Sequence, residues 1–205
     1  MAENIEITDD SIQKQIIQAA QQLFRIHGFQ KVTMDDVAKE IGKGRSSLYY
    51  YYKSKEEILD AAIEVEMREI LAELSQAINQ APDLEQKISA YCITRLKISK
   101  KRKGFYNMID TGMDANEISD YIKAKNNMHT RFRQLEIPLL KGILDFGTKT
   151  GILRAIPPKD QDSLILVWLS SMQGFKKEMI LKKSSSFIEP AVKMLTYLII
   201  SGCKK

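Results

Sequence analysis

Residues Val32–Leu59 read VTMDDVAKEIGKGRSSLYYYYKSKEEIL and contain the start signals of successive helices. Thr33 lies three residues before Asp36, which is the spacing of a capping box and predicts a helix that ends at Gly42. A second short helix is predicted over residues 45–51, directly after Lys-Gly. Two short helices joined by a glycine turn have the proportions of a helix-turn-helix motif.

The flanking sequence also predicts helices. Apolar residues recur at helical spacing from Ser11 to His27, where Gly28 can end the helix. Ser54 and Glu57 repeat the capping-box spacing and open a long helix that reaches Pro82. Further helices are predicted at about 84–102, 104–110, 117–146, 160–183 and 187–201. The predicted fold class is all-α, with a three-helix helix-turn-helix domain over 1–54 and a helical domain over 55–205.

The composition fits a globular helical protein with a polyanionic partner. Of 205 residues 44% are hydrophobic, while only 10 are glycine and 5 proline. The net charge is +5 at pH 7, which is compatible with nucleic acid but is weak support by itself. Cys92 and Cys203 match no metal or redox spacing. With no signal peptide and only short apolar runs, we expect a cytoplasmic protein without a membrane segment.

The second short helix carries side chains suited to DNA. In a helix-turn-helix motif this helix enters the major groove with its N-terminus first. Leu48 and Tyr52 are four residues apart and are expected to pack inward. Arginine and serine can contact base edges, while tyrosine and lysine commonly reach phosphate oxygens. The predicted DNA contacts from this helix and its flank are Arg45, Ser46, Ser47, Tyr49, Tyr50, Lys53 and Lys55.

The tyrosine run at 49–52 has a second interpretation, which is simple core packing. Four successive aromatic residues cannot all face one side of a helix, so at least two are expected to be exposed. Exposed adjacent tyrosines favour a binding partner. Because helix-turn-helix patterns also arise by chance, spacing alone leaves both interpretations open.

Residues 32–42 and 47–59 resemble the signature of the TetR family of transcriptional regulators. The shared features are the threonine, the alanine-glycine turn, the leucine-tyrosine pair and Lys-Ser-Lys-Glu before the long helix. The resemblance covers about Gln15–Ala62 and is architectural beyond it. It implies that Thr33 caps the first short helix and contacts phosphate, that Arg45, Ser46 and Ser47 begin the recognition helix, and that Tyr49 and Lys55 anchor phosphates. Gly44 departs from the usual serine or threonine cap, since glycine offers no side-chain bond.

Large, soft apolar side chains on the central helices suggest where a small molecule could bind. Most such residues form core, but methionine and aromatic walls also suit apolar ligands. The predicted lining is Met67, Leu71, Tyr91, Phe105, Met108, Met128, Phe132 and Trp168. No cofactor and no metal site are predicted, since His27 and His129 stand apart from other ligand residues.

The last two helices carry apolar stripes that predict a homodimer. Two copies related by a two-fold axis would form a four-helix bundle, and TetR-like proteins dimerise in this way. The stripe residues assigned to this interface are Ile165, Met172, Phe175, Val192, Leu195 and Ile199.

The sequence therefore predicts a ligand-responsive regulator, most simply a repressor. Its expected partners are an inverted-repeat DNA operator, an unidentified small-molecule effector and a second copy of itself. The long helix from Ser54 is expected to couple the two domains. Two alternatives stay open: a DNA-binding protein with a constitutive helical scaffold, and a helical enzyme. The enzyme would need a nucleophile-base pair, a metal cluster or a phosphate loop, and the sequence offers none of these.

Overall fold

The protein is all-α in a computed structural model, which describes residues 2–101 and 118–205. The helices of these residues are α1 (Ala2–His27), α2 (Met34–Glu40), α3 (Arg45–Tyr51), α4 (Lys55–Gln80), α5 (Leu84–Lys101), α6 (Ile118–Lys149), α7 (Pro158–Lys182) and α8 (Ile188–Cys203). Every one of them is too short or too polar to cross a lipid bilayer.

The helix boundaries follow the start and stop signals closely where those signals are strong. Helix α3 occupies the predicted residues, and α2 lies between its predicted cap and its predicted glycine stop. Helix α1 begins at Ala2, well before the predicted start at Ser11. Pro138 lies inside α6 and does not end it. The short helix predicted at 104–110 lies outside the described residues.

The structure consists of two compact units, and one boundary between them falls within α4. The first unit contains α1, α2, α3, α4 as far as Arg68, and α6 as far as Met128. The second contains α4 from Glu69, α5, α6 from His129, α7 and α8. Helix α4 therefore supplies residues to both units. The domain boundary predicted between residues 54 and 55 remains a prediction.

The first unit is built on side chains that α1, α2, α3 and α4 bury completely. Phe24, Val37, Leu48 and Ile58 each have 0% exposure, one from each of these helices. Helix α2 packs on both α1 and α3. The ring of Phe29 meets that of Phe24 edge to face at 5.1 Å and closes the end of α1.

The second unit has an aromatic centre. The rings of Tyr91 on α5 and Trp168 on α7 meet edge to face at 5.5 Å, and both side chains are fully buried. The indole Nε1 of Trp168 donates to the Sγ of Cys92 at 3.2 Å. Burial raises the pKa of Cys92 to about 12, so the thiol is neutral and unreactive at neutral pH.

The apolar stripes assigned to a dimer interface lie in the core of a single chain. Ile165, Met172, Val192, Leu195 and Ile199 are at most 8% exposed, and Phe175 is half-buried. Helix α5 packs on both α7 and α8. The sequence prediction for these buried side chains is therefore revised. The exposed apolar residues of the two helices are different ones: Leu166, Val167, Ile180, Leu181, Met194, Tyr197 and Leu198.

Candidate nucleic-acid interface

The start of α2 is held by the capping box that the sequence predicts. The backbone N–H of Asp36 donates to Thr33 Oγ1 at 3.2 Å, and the backbone N–H of Thr33 donates to Asp36 Oδ2 at 2.9 Å. The Thr33 hydroxyl also donates to that carboxylate at 2.7 Å. These bonds from Thr33 lower the pKa of Asp36, so its carboxylate is charged at neutral pH and favours the positive end of the helix.

A glycine turn then sets the direction of α3. Gly42 has a φ of +64°, in the left-handed region that glycine adopts without a steric penalty. Gly44 is the N-cap of α3 and makes no side-chain cap bond. The first turn of α3 therefore begins with an exposed backbone and an exposed Arg45 side chain.

Helix α3 has one buried anchor and a polar outer side. Leu48 is 0% exposed, whereas Tyr50 is 72% exposed and stacks edge to face on Tyr51 at 5.0 Å. Tyr52 is half-buried, and this burial raises its pKa. Leu48 thus turns inward as expected, and Tyr50 stands free of the core, so core packing does not account for the whole tyrosine run.

Arg45, at the first position of α3, contacts Asp35 and Tyr49 within the motif. Its Nε lies 3.3 Å from Asp35 Oδ1, and its Nη1 donates to Asp35 Oδ2 at 3.4 Å. Its Nη2 donates to the Tyr49 hydroxyl at 3.4 Å, and the guanidinium carbon lies 5.4 Å from the centre of that ring. The Tyr49 bond and then the Asp35 charge raise the pKa of Arg45, which stays cationic.

The two lysines after α3 have different surroundings. The Nζ of Lys55 donates to the carbonyl oxygens of Phe29 and Gln30 at 3.2 and 3.1 Å and lies 4.6 Å from the centre of the Phe29 ring. Lys53 is exposed, and its Nζ donates to the Tyr49 carbonyl at 3.2 Å. Lys55 therefore ties the start of α4 to the loop after α1. Sequence reasoning missed this role, because nothing in the spacing brings residues 29 and 55 together.

A groove of about 390 Å³ brings half of the predicted DNA contacts together. Thr33, Arg45, Tyr49 and Lys55 line it, together with Asp35, which sequence reasoning did not select. The remaining predicted contacts are placed around the same motif but do not line the groove: Ser46 and Ser47 in the first turn of α3, exposed Tyr50, and exposed Lys53. The groove side of the motif therefore presents cations, hydroxyls and the carboxylate of Asp35.

The predicted ligand-lining residues are scattered. Tyr91, Phe132 and Trp168 lie in the second unit, where Tyr91 and Trp168 are sealed in its core. Leu71 is a half-buried residue of that unit. Met67 and Met128 are buried residues of the first unit, and Phe105 and Met108 lie outside the described residues.

A cleft of about 260 Å³ does open in the second unit, and its lining is largely polar. Phe132 and Leu169 supply its apolar part. The buried carboxylate of Glu136 accepts from the Tyr91 hydroxyl at 2.9 Å and forms an ion pair with Arg95. The other lining residues are His129, Thr130, Arg133, Ser170 and Gln173.

Comparison with known proteins identifies the N-terminal module. Residues 16–62 match the family model for bacterial regulatory proteins of the tetR family. This match contains α2, α3 and the capping residues described above. Over these residues the chain is similar to the tetR family of bacterial regulatory proteins. The family consists of transcription regulators.

Relatives extend this likeness along the chain. The chain is 37% identical over 68 residues to the uncharacterized HTH-type transcriptional regulator YfiR of Bacillus subtilis, a match that spans 33% of each chain. The solved TetR transcription regulator of Haloarcula marismortui has a TM-score of 0.68 at 18% identity, covering 96% of this chain and 100% of that one. The regulator FadR of Bacillus subtilis, solved with stearoyl-CoA, has a TM-score of 0.62 at 15% identity, covering 92% and 98%. At these identities, the structures share the fold.

The lysine contacts predict separable effects on stability. Lys55→Met removes two bonds from a charged donor to carbonyl oxygens, and we expect it to lower the free energy of unfolding by about 1–2 kcal/mol. Lys53→Met is the matched control, since the exposed Lys53 side chain donates to a single carbonyl oxygen, that of Tyr49. This substitution should change the free energy of unfolding by less than about 0.5 kcal/mol. Urea unfolding followed by circular dichroism measures both. Equal stability of the two variants would contradict a structural role for Lys55.

Proposed function

We propose that this protein is a ligand-responsive transcriptional repressor of the TetR family that binds an inverted-repeat operator as a homodimer. The observation that carries the proposal is the α2–α3 motif, which holds an exposed arginine at the start of its second helix. The domain boundary between residues 54 and 55 and the DNA-contacting residues named from the sequence are part of the same proposal.

The chemistry of α3 supports specific DNA binding. An α-helix fits the major groove, and arginine can form a bidentate pair with guanine there. Arg45, at 66% side-chain exposure, can reach a base edge from the first turn of the helix. Tyr49, Lys53 and Lys55 add donors suited to phosphate oxygens in the same motif, whereas the Thr33 hydroxyl already donates to Asp36.

If binding is sequence-specific, selection of bound duplexes from a randomised pool should enrich an inverted repeat, because a two-fold symmetric dimer requires a two-fold symmetric site. Arg45→Ala should relax the preference at one base pair in each half-site, at a cost of about 1–3 kcal/mol in discrimination. Lys53→Met should weaken all duplexes alike and reduce the salt slope by about one. Fluorescence anisotropy at several salt concentrations measures both effects. Equal wild-type affinity for selected and random duplexes would exclude this function.

The exposed apolar residues of α7 and α8 support a dimer. Met194, Tyr197 and Leu198 lie at helical spacing on one face of α8 and are each more than half exposed. Helix α7 adds Leu166 and Val167, which are also at least half exposed. Exposed apolar residues that cluster on a helix face are a typical feature of protein–protein interfaces. We assign it to a second copy, since two-fold pairing of two helices from each copy gives a four-helix bundle.

The dimer assignment predicts that Leu198→Glu will yield folded monomers and remove operator binding, since a single half-site supplies half the contacts. Leu135→Glu on α6 is a control at an exposed apolar position on another helix. Leu195→Glu differs from both: Leu195 is 8% exposed, so we expect unfolding rather than dissociation. Sedimentation velocity and circular dichroism separate these outcomes. A dimeric Leu198→Glu variant would place the interface elsewhere.

The polar cleft of the second unit supports an effector with an acidic group. FadR from Bacillus subtilis was solved with stearoyl-CoA, whose coenzyme A part carries phosphate groups, and the cleft here carries Arg133 beside the Arg95–Glu136 pair. Helix α4 contributes residues to both units, and we propose it as the element that couples effector and DNA. The alternative function, a regulator with a constitutive scaffold, has no such coupling.

Ligand response predicts reciprocal affinities. Stearoyl-CoA and benzoate serve as long and small acidic probes in calorimetry, followed by anisotropy with operator present. An effector should weaken operator binding and operator should weaken effector binding by the same factor, typically about 5–150-fold. Leu169→Trp should fill the cleft and abolish the response while operator binding persists, and exposed Leu135→Trp is its control. Probe binding that leaves operator affinity unchanged would favour the constitutive scaffold.

A further inference from the structure

We propose that Asp35 is a positioning residue that sets base specificity by holding the guanidinium of Arg45. The inference rests on the proposed DNA-binding function, within which Arg45 reads a base. Asp35 itself lies on α2, and it acts on DNA through Arg45.

The geometry fixes Arg45 from two directions. Asp35 lies within 3.3 Å of Nε and 3.4 Å of Nη1, while the Tyr49 hydroxyl accepts from Nη2 at 3.4 Å. Asp35 is on the preceding helix and Tyr49 is one turn along α3, so the side chain is held between the two helices of the motif. A long side chain that is ordered before binding loses less conformational freedom when it meets a base.

Asp35 has a physical reason to keep Arg45. Its Oδ1 atom is buried and accepts no hydrogen bond from any described residue. The nearby positive charge is Arg45 Nε at 3.3 Å, which compensates the oxygen electrostatically although it is not aligned as a donor. If Arg45 swung away to a phosphate, this carboxylate oxygen would lose the positive charge that lies beside it.

The pairing also leaves donors for DNA. A guanidinium has five N–H groups, and the contacts with Asp35 and Tyr49 leave N–H groups on both terminal nitrogens. Those groups can serve the two acceptors of guanine in the major groove. A paired arginine contributes little net charge, and the carboxylate itself repels phosphates. Asp35 therefore raises discrimination between bases at the expense of general affinity.

The test is Asp35→Asn, which keeps the shape of the side chain and removes its charge. We expect the ratio of operator to random-duplex affinity to fall about tenfold, while affinity for random duplex rises. Released from Asp35, the guanidinium becomes available to a phosphate, so the slope of log affinity against log salt should steepen by about one. Asp35→Glu keeps the charge but moves the carboxylate, and should lower the ratio without raising random-duplex affinity.

Two further variants separate positioning from simple charge repulsion. Glu40→Gln removes an exposed carboxylate from the same helix without touching Arg45, and should leave the affinity ratio unchanged. In an Arg45→Ala background, Asp35→Asn should no longer change the ratio, because the residue acts through Arg45. Anisotropy titrations of the full-length variants, checked for folding by circular dichroism, provide all of these values.

The outcomes are distinguishable. An unchanged ratio in Asp35→Asn, with operator and random duplex both bound more tightly, would overturn the positioning role and leave Asp35 as a repelling surface charge. An equal loss of ratio in the Arg45→Ala background would also overturn it. Failure of the proposed function looks different, because the wild-type protein would then show no preference between selected and random duplex.

Discussion

The shortness of α3 is the constraint on which the groove side of the α2–α3 motif depends. A helix of seven residues is not stable in isolation, because too few backbone hydrogen bonds offset the cost of its first turn. Its conformation must come from packing, and the side chain that α3 buries is Leu48, at 0% exposure. Burying one leucine leaves the other faces of the helix open. Gly42, at positive φ, ends α2 and turns the chain toward α3.

Polar contacts then decide where the cations of this module lie. Lys55 Nζ donates to two carbonyl oxygens of the loop after α1. The Thr33–Asp36 bonds hold the start of α2. Arg45 is drawn toward α2 by Asp35 rather than extended into solvent. Surface ion pairs contribute little to stability. Their effect here is on geometry, since they order long side chains that would otherwise sample many rotamers.

The core of the second unit contains a charged side chain, that of Glu136. Glu136 is 2% exposed, and an unpaired buried carboxylate would be strongly destabilising. The Tyr91 hydroxyl and Arg95 pair with it, and burial next to that carboxylate raises the pKa of Tyr91 well above its usual value. Phe132 lies 4.6 Å from the Arg95 guanidinium carbon and covers the pair. Arg95 and Glu136 of this hydrogen-bonded network line the polar cleft together with Phe132.

The sequence alone determined the local structure of the protein. Capping pairs such as Thr33 and Asp36, the glycine at 42 and helical periodicity depend on neighbours within one or two turns, so they predicted the all-α class, the short helices and the inward face of α3. Tertiary structure decided which apolar stripe is core and which is surface: Leu195 is buried, while Leu198, three residues on, is exposed. It also decided the partners of Lys55, Arg45 and Glu136. Periodicity marks an apolar face but not what covers it, and an ion pair between distant residues exists only once packing has brought its two helices together.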